Sequence, residues 1–152
     1  MENMNGMSYK KFTVMMIISF IIMYVVMFLN VDSIEHYHTS TTRIYMAILM
    51  IAPMAIVMMT MMGKMYPNKR TNTGIIITAI IVFIVTLAAL RTQTPISDVQ
   101  YMKAMIPHHS SAILTSKHAN IKDPEVRKLA DSIIAAQVRE IQQMETILNR
   151  MK

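Results

Sequence analysis

Three long intervals without a charged side chain dominate the first 91 residues of the chain. Each interval contains twenty consecutive residues without Asp, Glu, Lys or Arg. The intervals lie between Lys11 and Asp32, between Arg43 and Lys64, and between Arg70 and Arg91. A membrane core of about 30 Å is crossed by roughly twenty apolar helical residues. Three runs of this kind leave no polar faces for a soluble core. The sequence therefore predicts three transmembrane helices, at about 12–31, 44–63 and 71–90.

The composition agrees with a membrane protein, because 53% of the 152 residues are hydrophobic and 16% are charged. The first apolar run follows Lys10 and Lys11, as a secretory signal would. It is longer than the usual apolar core of such a signal, and no small-x-small cleavage pattern follows it. We therefore expect a retained anchor that contacts the lipid bilayer.

The positive charges predict the orientation of the three helices. Lys10 and Lys11 precede the first helix, and the second loop carries Lys64, Lys69 and Arg70, whereas the first loop has no Lys or Arg before Arg43. The positive-inside rule places the N-terminus and the second loop in the cytoplasm, and the C-terminal segment on the outer face. Much of the net charge of +6 thus comes from Lys and Arg residues that orient the membrane helices, and it does not indicate a nucleic-acid partner.

The C-terminal third predicts two amphipathic helices. After a linker at 93–97, one helix begins near Asp98 and ends near Ala119, and the sequence Asp123-Pro124-Glu125 begins a second that reaches about Arg150. The short turn predicts an antiparallel helical hairpin. The fold is therefore all-α, with a membrane domain at 1–92 and an extracytoplasmic domain at 98–152. One hairpin cannot bury both apolar stripes, so we expect either homo-oligomerisation into a four-helix bundle, which we favour, or packing on the ends of the membrane helices.

The stretch MKAMIPHHSS, residues 102–111, concentrates metal-ligating side chains on the first of these helices. Helical spacing places Met102, Met105 and His109 on one face, with His108 beside it. Pro107 predicts a kink before the histidines, or else the start of a separate helix. The candidate ligands are Met102, Met105, His108, His109 and Met144, and further ligands or supporting groups are Asp98, Gln137, Glu140, His118, His36 and His38.

These donor types favour a soft metal ion. The chain has 19 Met and 5 His but no Cys, so thiolate sites are excluded. Thioether and imidazole suit Cu(I) or Ag(I), while imidazole with a carboxylate suits Cu(II) or Zn(II). Methionines at helical spacing also serve as adaptable core packing. Spacing alone leaves both interpretations open.

The second apolar run has its own methionine pattern, with a methionine at every fourth position, namely Met46, Met50, Met54, Met58 and Met62. A four-residue repeat drifts by about 40° per step around a helix, so the stripe winds. It predicts either a thioether ladder that conducts a soft cation or packing between the membrane helices.

The segments YMKAMIPHHSSAI and PEVRKLADSIIAAQVREIQQM closely resemble the bacterial family known as domain of unknown function 305. The resemblance covers about Asp98 to Met151. It implies a ferritin-like helical fold, exported or membrane-tethered, that handles copper and other heavy metals. It also implies a bacterial inner membrane location, with the C-terminal domain periplasmic or extracellular. The two C-terminal helices lack the Glu-x-x-His motif that is paired in di-iron sites, since Gln143 stands three residues after Glu140.

The expected function is a membrane-anchored protein that captures or buffers copper, with Cu(I) favoured over Cu(II) and with silver and zinc as alternatives. A metal exporter or metallochaperone is the expected partner beside a second copy of the chain. The chain has no cysteine nucleophile, nucleotide loop or Ser-His-acid set, so an enzyme is not expected. The alternatives are an oligomeric structural or interaction protein without metal, and a methionine-lined conduit.

Overall fold

The structure is a computed structural model that describes residues 9–151. The predicted domains at 1–92 and 98–152 thus reach slightly beyond the described residues at both ends. Within 9–151 the secondary structure consists of helices without strands, which confirms the all-α prediction. The five long helices are α1 (Tyr9–Val26), α2 (Thr41–Met62), α3 (Lys69–Thr92), α4 (Asp98–His118) and α5 (Pro124–Arg150), and 3-10 turns cover Ile34–His36 and Gly63–Met65.

Three helices are long and apolar enough to cross a membrane: α1, α2 with its following turn, and α3. The first helix ends at Val26, five residues before the predicted end of the first apolar run at 31. The helix ends there because Phe28 packs against residues further along the chain. Phe28 is buried, its ring centroid lies 4.0 Å from that of Tyr37, and the guanidinium carbon of Arg43 lies 4.1 Å from the centroid of the Phe28 ring.

The chain divides into two compact units, whose boundaries differ from the predicted ones. The first unit contains α1 to Val26 and Ile44–Pro95, and the second contains Met27–Arg43 and the residues from Ile96. The α1–α2 connection, residues 27–43, therefore belongs with α4 and α5 rather than with the apolar helices.

In the first unit, polar and aromatic side chains tie the start of α1 to the turn between α2 and α3. The Tyr9 hydroxyl lies 2.8 Å from Asn72 Oδ1 and 3.0 Å from the Asn68 carbonyl oxygen. Beneath this contact Phe12, Met59 and Tyr66 form a buried cluster. Both features are local to this unit.

The core of the second unit lies between α4 and α5. Its buried members are Met102, Ile106, Ile113, Ile141 and Leu148. Each helix begins with a side-chain cap, since Ser97 Oγ accepts from the Gln100 N–H and Asp123 Oδ1 accepts from the Glu125 and Val126 N–H groups. Pro107 is fully buried within one unbroken α4, so it does not begin a separate helix.

Candidate metal-binding site

His109 lies between α4 and α5, and both of its ring nitrogens are near side chains of α5. Its Nδ1 forms a hydrogen bond with Oε1 of Gln137, and its Nε2 lies 3.4 Å from Oε2 of Glu140. Gln137 and Glu140 are three residues apart and therefore share one face of α5. The hydrogen bond with Gln137 thus fixes the orientation of this imidazole, and the Glu140 carboxylate lies near its other nitrogen.

The surroundings of His109 favour its neutral form. Burial of the ring lowers its pKa below the ordinary value of 6.5, the Glu140 carboxylate opposes this shift, and His108 adds to it. Burial dominates because it removes water that would stabilise the imidazolium ion. A neutral imidazole is the form that binds a metal ion.

An open groove of about 590 Å³ runs along this face of the two helices. Met102, His109, Glu140 and Met144 contribute to its wall, and Asp98 lies at its edge in the first turn of α4. Together with Met151, this gives three thioethers, one imidazole and two carboxylates around the same space. Tyr101, Arg150 and Met151 also line the groove. Met151 was not among the predicted ligands, although its spacing of seven residues from Met144 places it on the same helical face.

The other two predicted ligands on α4 lie outside this groove. Met105 is half-buried, and His108 is exposed to solvent. The ring centroids of His108 and His109 are 5.9 Å apart, with the rings nearly perpendicular. His118, at the end of α4, is also exposed. Of the five predicted ligands, Met102, His109 and Met144 therefore line the groove, whereas Met105 and His108 lie outside it.

The two histidines of the α1–α2 connection have different surroundings. His36 Nδ1 lies 2.8 Å from Oγ of Ser110, a fully buried side chain that also accepts the Asp32 N–H at 2.7 Å. His38 instead lines a second groove, of about 430 Å³, with Glu35, Lys103 and Glu145. Neither histidine lines the groove that contains His109.

Among residues 9–151, no group of three His, Asp or Glu side chains is close enough to hold a metal ion. A site built only from nitrogen and oxygen ligands is therefore not preformed in this part of the chain. The groove at His109 offers thioethers beside its imidazole and carboxylates. That donor set suits Cu(I) or Ag(I) better than Zn(II).

The methionine stripe of α2 winds as the four-residue repeat predicts. Met46 and Met50 are exposed, with 42% and 37% of their surface accessible, whereas Met58 and Met62 pack against the Phe12–Met59–Tyr66 cluster. Met54 is half-buried. Packing around aromatic rings accounts for Met58 and Met62 without a bound ion.

Comparison with known proteins places these helices in a family. Residues 84–151 match the family described as Domain of unknown function (DUF305). An uncharacterised protein of Acanthamoeba polyphaga mimivirus is 39% identical over 141 residues, which cover 91% of this chain and 91% of that protein. The chain belongs to the DUF305 family. No solved structure matches it significantly.

The DUF305 match contains the whole groove, since it includes α4, α5 and Met151. It does not contain the α1–α2 connection, which supplies His36 and the partners of Ser110. The similarity to the mimivirus protein extends beyond the matched segment, because 91% coverage must include the apolar helices α2 and α3.

Proposed function

We propose that the chain is a membrane-anchored protein that captures or buffers copper on the extracytoplasmic face, with Cu(I) favoured. The observation that carries the proposal is the groove between α4 and α5, whose wall includes Met102, Met144 and His109. Copper would be bound as cargo. The three apolar helices support the anchor, and the DUF305 resemblance supports copper over other soft ions.

The hydrogen bond to Gln137 supports a role for His109 as a ligand. As the Gln137 amide is placed, its oxygen faces His109 Nδ1, so Nδ1 carries the proton and donates it. The lone pair is then on Nε2, on the side of the Glu140 carboxylate. Metal-bound histidines commonly donate their second N–H in this way, because the donation fixes the tautomer and strengthens the ligand. We assign Gln137 to this supporting role and Met102, Met144 and His109 to copper, and we propose that the Glu140 carboxylate, on the Nε2 side, offsets the charge of the bound cation.

We further propose that α4 and α5 form a ferritin-like hairpin that pairs with a second copy. Val126, Leu129 and Val138 of α5 remain exposed in one chain, with 49%, 59% and 38% of their surfaces accessible. A second copy would cover such an apolar stripe. A metal exporter or metallochaperone is the proposed partner for transfer. The proposed location is the bacterial inner membrane, on the basis of the family resemblance.

The test is the stoichiometry and affinity of Ag(I) and Cu(I) binding by the full chain in detergent. The test variant is Met102→Leu/His109→Gln/Met144→Leu, because Leu conserves the volume of Met in a packed core. The matched control is Met46→Leu/Met50→Leu, which removes exposed thioethers from α2. We expect the first variant to lose the tightest equivalent of metal and the control to keep it. Equal binding by the wild type and the test variant would refute the proposal, provided that circular dichroism shows both folded.

A second candidate is an oligomeric structural or interaction protein without metal. It is favoured by the packing of Met102, which is only 6% accessible and belongs to the hydrophobic core of the second unit. On this alternative the methionines act as core filler. It predicts that Ag(I) changes neither the melting temperature nor the oligomeric state.

A further inference from the structure

The pair formed by α4 and α5 is covered on one side and open on another. Residues 27–43 cover the first side, where they contact Ser110 and Gln100 of α4. His109 precedes Ser110 in the chain, so its side chain points about 100° away from that side of the helix. The groove that His109 lines therefore opens elsewhere, and Tyr101 on its wall is 53% accessible.

An apolar stripe on α5 continues from this groove towards the start of the helix. Its members follow each other at three- and four-residue spacing, which places them on one face. They are Val126, Leu129, Ile133, Ala136, Met144 and Ile147. Met144 and Ile147 line the groove, whereas Val126 and Leu129 lie beyond it and are 49% and 59% accessible. We call the groove and this stripe together the groove face.

Glu140 places one charge in the middle of the groove face. It occupies the position between Ala136 and Met144 in the series, and 50% of its side-chain surface is accessible. Its Oε2 lies 3.4 Å from Nε2 of His109, but the surroundings of that ring favour the neutral form, which does not balance the carboxylate. Arg150 also lines the groove, but it is ten residues further along α5, about 15 Å away. A partner that covers the groove face therefore buries a carboxylate at an energetic cost.

A second copy of the chain fits the groove face in size and symmetry. Helix α4 has 21 residues and α5 has 27, so the pair is at least about 30 Å long and about 20 Å wide. Its face measures roughly 600 Å², which is at the lower end of the area that one partner buries in a specific interface. In a twofold dimer the same stripe of each copy covers the other, and both Glu140 side chains enter the interface. Because the area is small, the two buried charges decide whether the dimer forms.

We propose that the groove face is the interface of a metal-dependent homodimer, in which the ion bound at His109 neutralises Glu140. This inference rests on the proposed function, because the cation is the one captured in the groove. Imidazole and thioether ligands are neutral, so Cu(I) or Ag(I) brings one positive charge beside the negative carboxylate. The face then closes against a second copy, which in turn covers the open groove and keeps water away from the ion.

The test is the monomer–dimer equilibrium of the full chain in detergent, measured by analytical ultracentrifugation with and without Ag(I). We expect Ag(I) to lower the dissociation constant of the dimer at least about fivefold, the lower end of typical couplings between sites. Glu140→Gln removes the charge, so its metal-free dimer should be tighter to a similar extent, and Ag(I) should not tighten it further. The matched control is Glu145→Gln, which removes a carboxylate from the groove that contains His38 and should behave as the wild type does.

A second pair of variants locates the interface. Leu129→Lys adds a charge to the groove face at an exposed position and should prevent dimerisation with Ag(I) bound. Ala135→Lys adds the same charge to an exposed position of α5 outside the stripe and should leave the dimer intact. Titration of Leu129→Lys with Ag(I) checks that the groove itself still binds.

The outcomes separate this inference from the proposed function. A wild type that binds Ag(I) but dimerises equally with and without it overturns the inference and leaves the proposed function standing. A metal-free Glu140→Gln that dimerises as weakly as the metal-free wild type also overturns the inference. A wild type that does not bind Ag(I) overturns both.

Discussion

His108 and His109 are adjacent in the chain but have different surroundings. His109 lines the groove, is oriented by Gln137 and lies near the Glu140 carboxylate, whereas His108 is exposed outside it. We expect His109→Ala to weaken Ag(I) binding at least about tenfold, because loss of even a supporting group typically costs that much. His108→Ala should change the affinity by less than about threefold. Competition titrations of the two variants in the same detergent check this asymmetry, and equal losses would contradict it.

The lowered pKa of His109 predicts how stability depends on pH. Burial lowers this pKa below 6.5, although the Glu140 carboxylate opposes the shift and His108 reinforces it. Between the lowered native pKa and about 6.5, the unfolded chain binds more protons than the native chain. Above about pH 6.5, the contribution of His109 to the free energy of unfolding should therefore be constant. As the pH drops from about 6.5 to the lowered native pKa, the free energy of unfolding should fall.

The measurement is the melting temperature of the metal-free chain from pH 7.5 down to 5. His109→Gln should flatten the pH dependence. His118→Gln, which changes an exposed histidine at the end of α4, is the control and should retain it. A wild-type slope that survives His109→Gln would assign the pH dependence to another group.

Helical periodicity predicted most of this environment. It placed Met102 and His109 on one face of the first C-terminal helix and Gln137, Glu140 and Met144 on the facing helix. It also placed Met105 on that face, whereas the structure leaves Met105 outside the groove. Periodicity resolves which side of a helix a residue occupies, but two helices in contact bury only part of that side. The limit of the groove depends on their mutual packing, which spacing does not specify.

At the scale of the elements, the α1–α2 connection is fastened to α4 through Ser110. This hydroxyl is fully buried and accepts the Asp32 N–H at 2.7 Å. Ser110→Ala leaves that N–H without its partner, which costs about 1–3 kcal/mol when the group stays buried. The matched control is Ser111→Ala, since Ser111 Oγ accepts from Asn30 Nδ2 at 2.7 Å in an exposed position.

Both substitutions replace Ser by Ala within α4, so the gain in helix propensity is the same and cancels in the comparison. We expect Ser110→Ala to lower the melting temperature clearly more than Ser111→Ala. Thermal unfolding followed by circular dichroism provides the measurement. Similar shifts for the two variants would mean that the contact with Asp32 contributes little.

The sequence could not predict that this connection packs on α4. Residues 27–43 have neither helical nor strand periodicity, and their contacts involve residues about 75 to 85 positions away: Ser110 with Asp32 and His36, and Lys117 with Asp32. Contacts of this kind arise from tertiary packing and leave no local pattern. The apolar helices were predictable because each one carries its own signal in its length and composition. The end of α1 at Val26 was missed for the same reason, since Phe28 packs against Tyr37 and Arg43.

At the scale of the whole molecule, we expect a metal ion to slow hydrogen exchange in one of the two units and not in the other. On the proposed function, copper or silver bound at the groove would stabilise the unit that contains α4, α5 and residues 27–43. At a free metal concentration of 100 times Kd, binding stabilises the folded unit by about 2.7 kcal/mol. The unfolded form is then about a hundredfold less populated, so amide hydrogens that exchange only from that form exchange about a hundredfold more slowly. Amides of α4 and α5 should therefore exchange more slowly with Ag(I), and those of residues 27–43 should follow because Ser110 couples them to α4.

Hydrogen exchange of the full chain in detergent, followed by mass spectrometry, checks this prediction. Peptides from α2 and α3 belong to the other unit and should exchange at the same rate with and without Ag(I). Met102→Leu/His109→Gln/Met144→Leu should abolish the change in α4 and α5. If Ag(I) instead protected α2, its methionines would be the binding site, and the chain would act as a conduit rather than a capture protein.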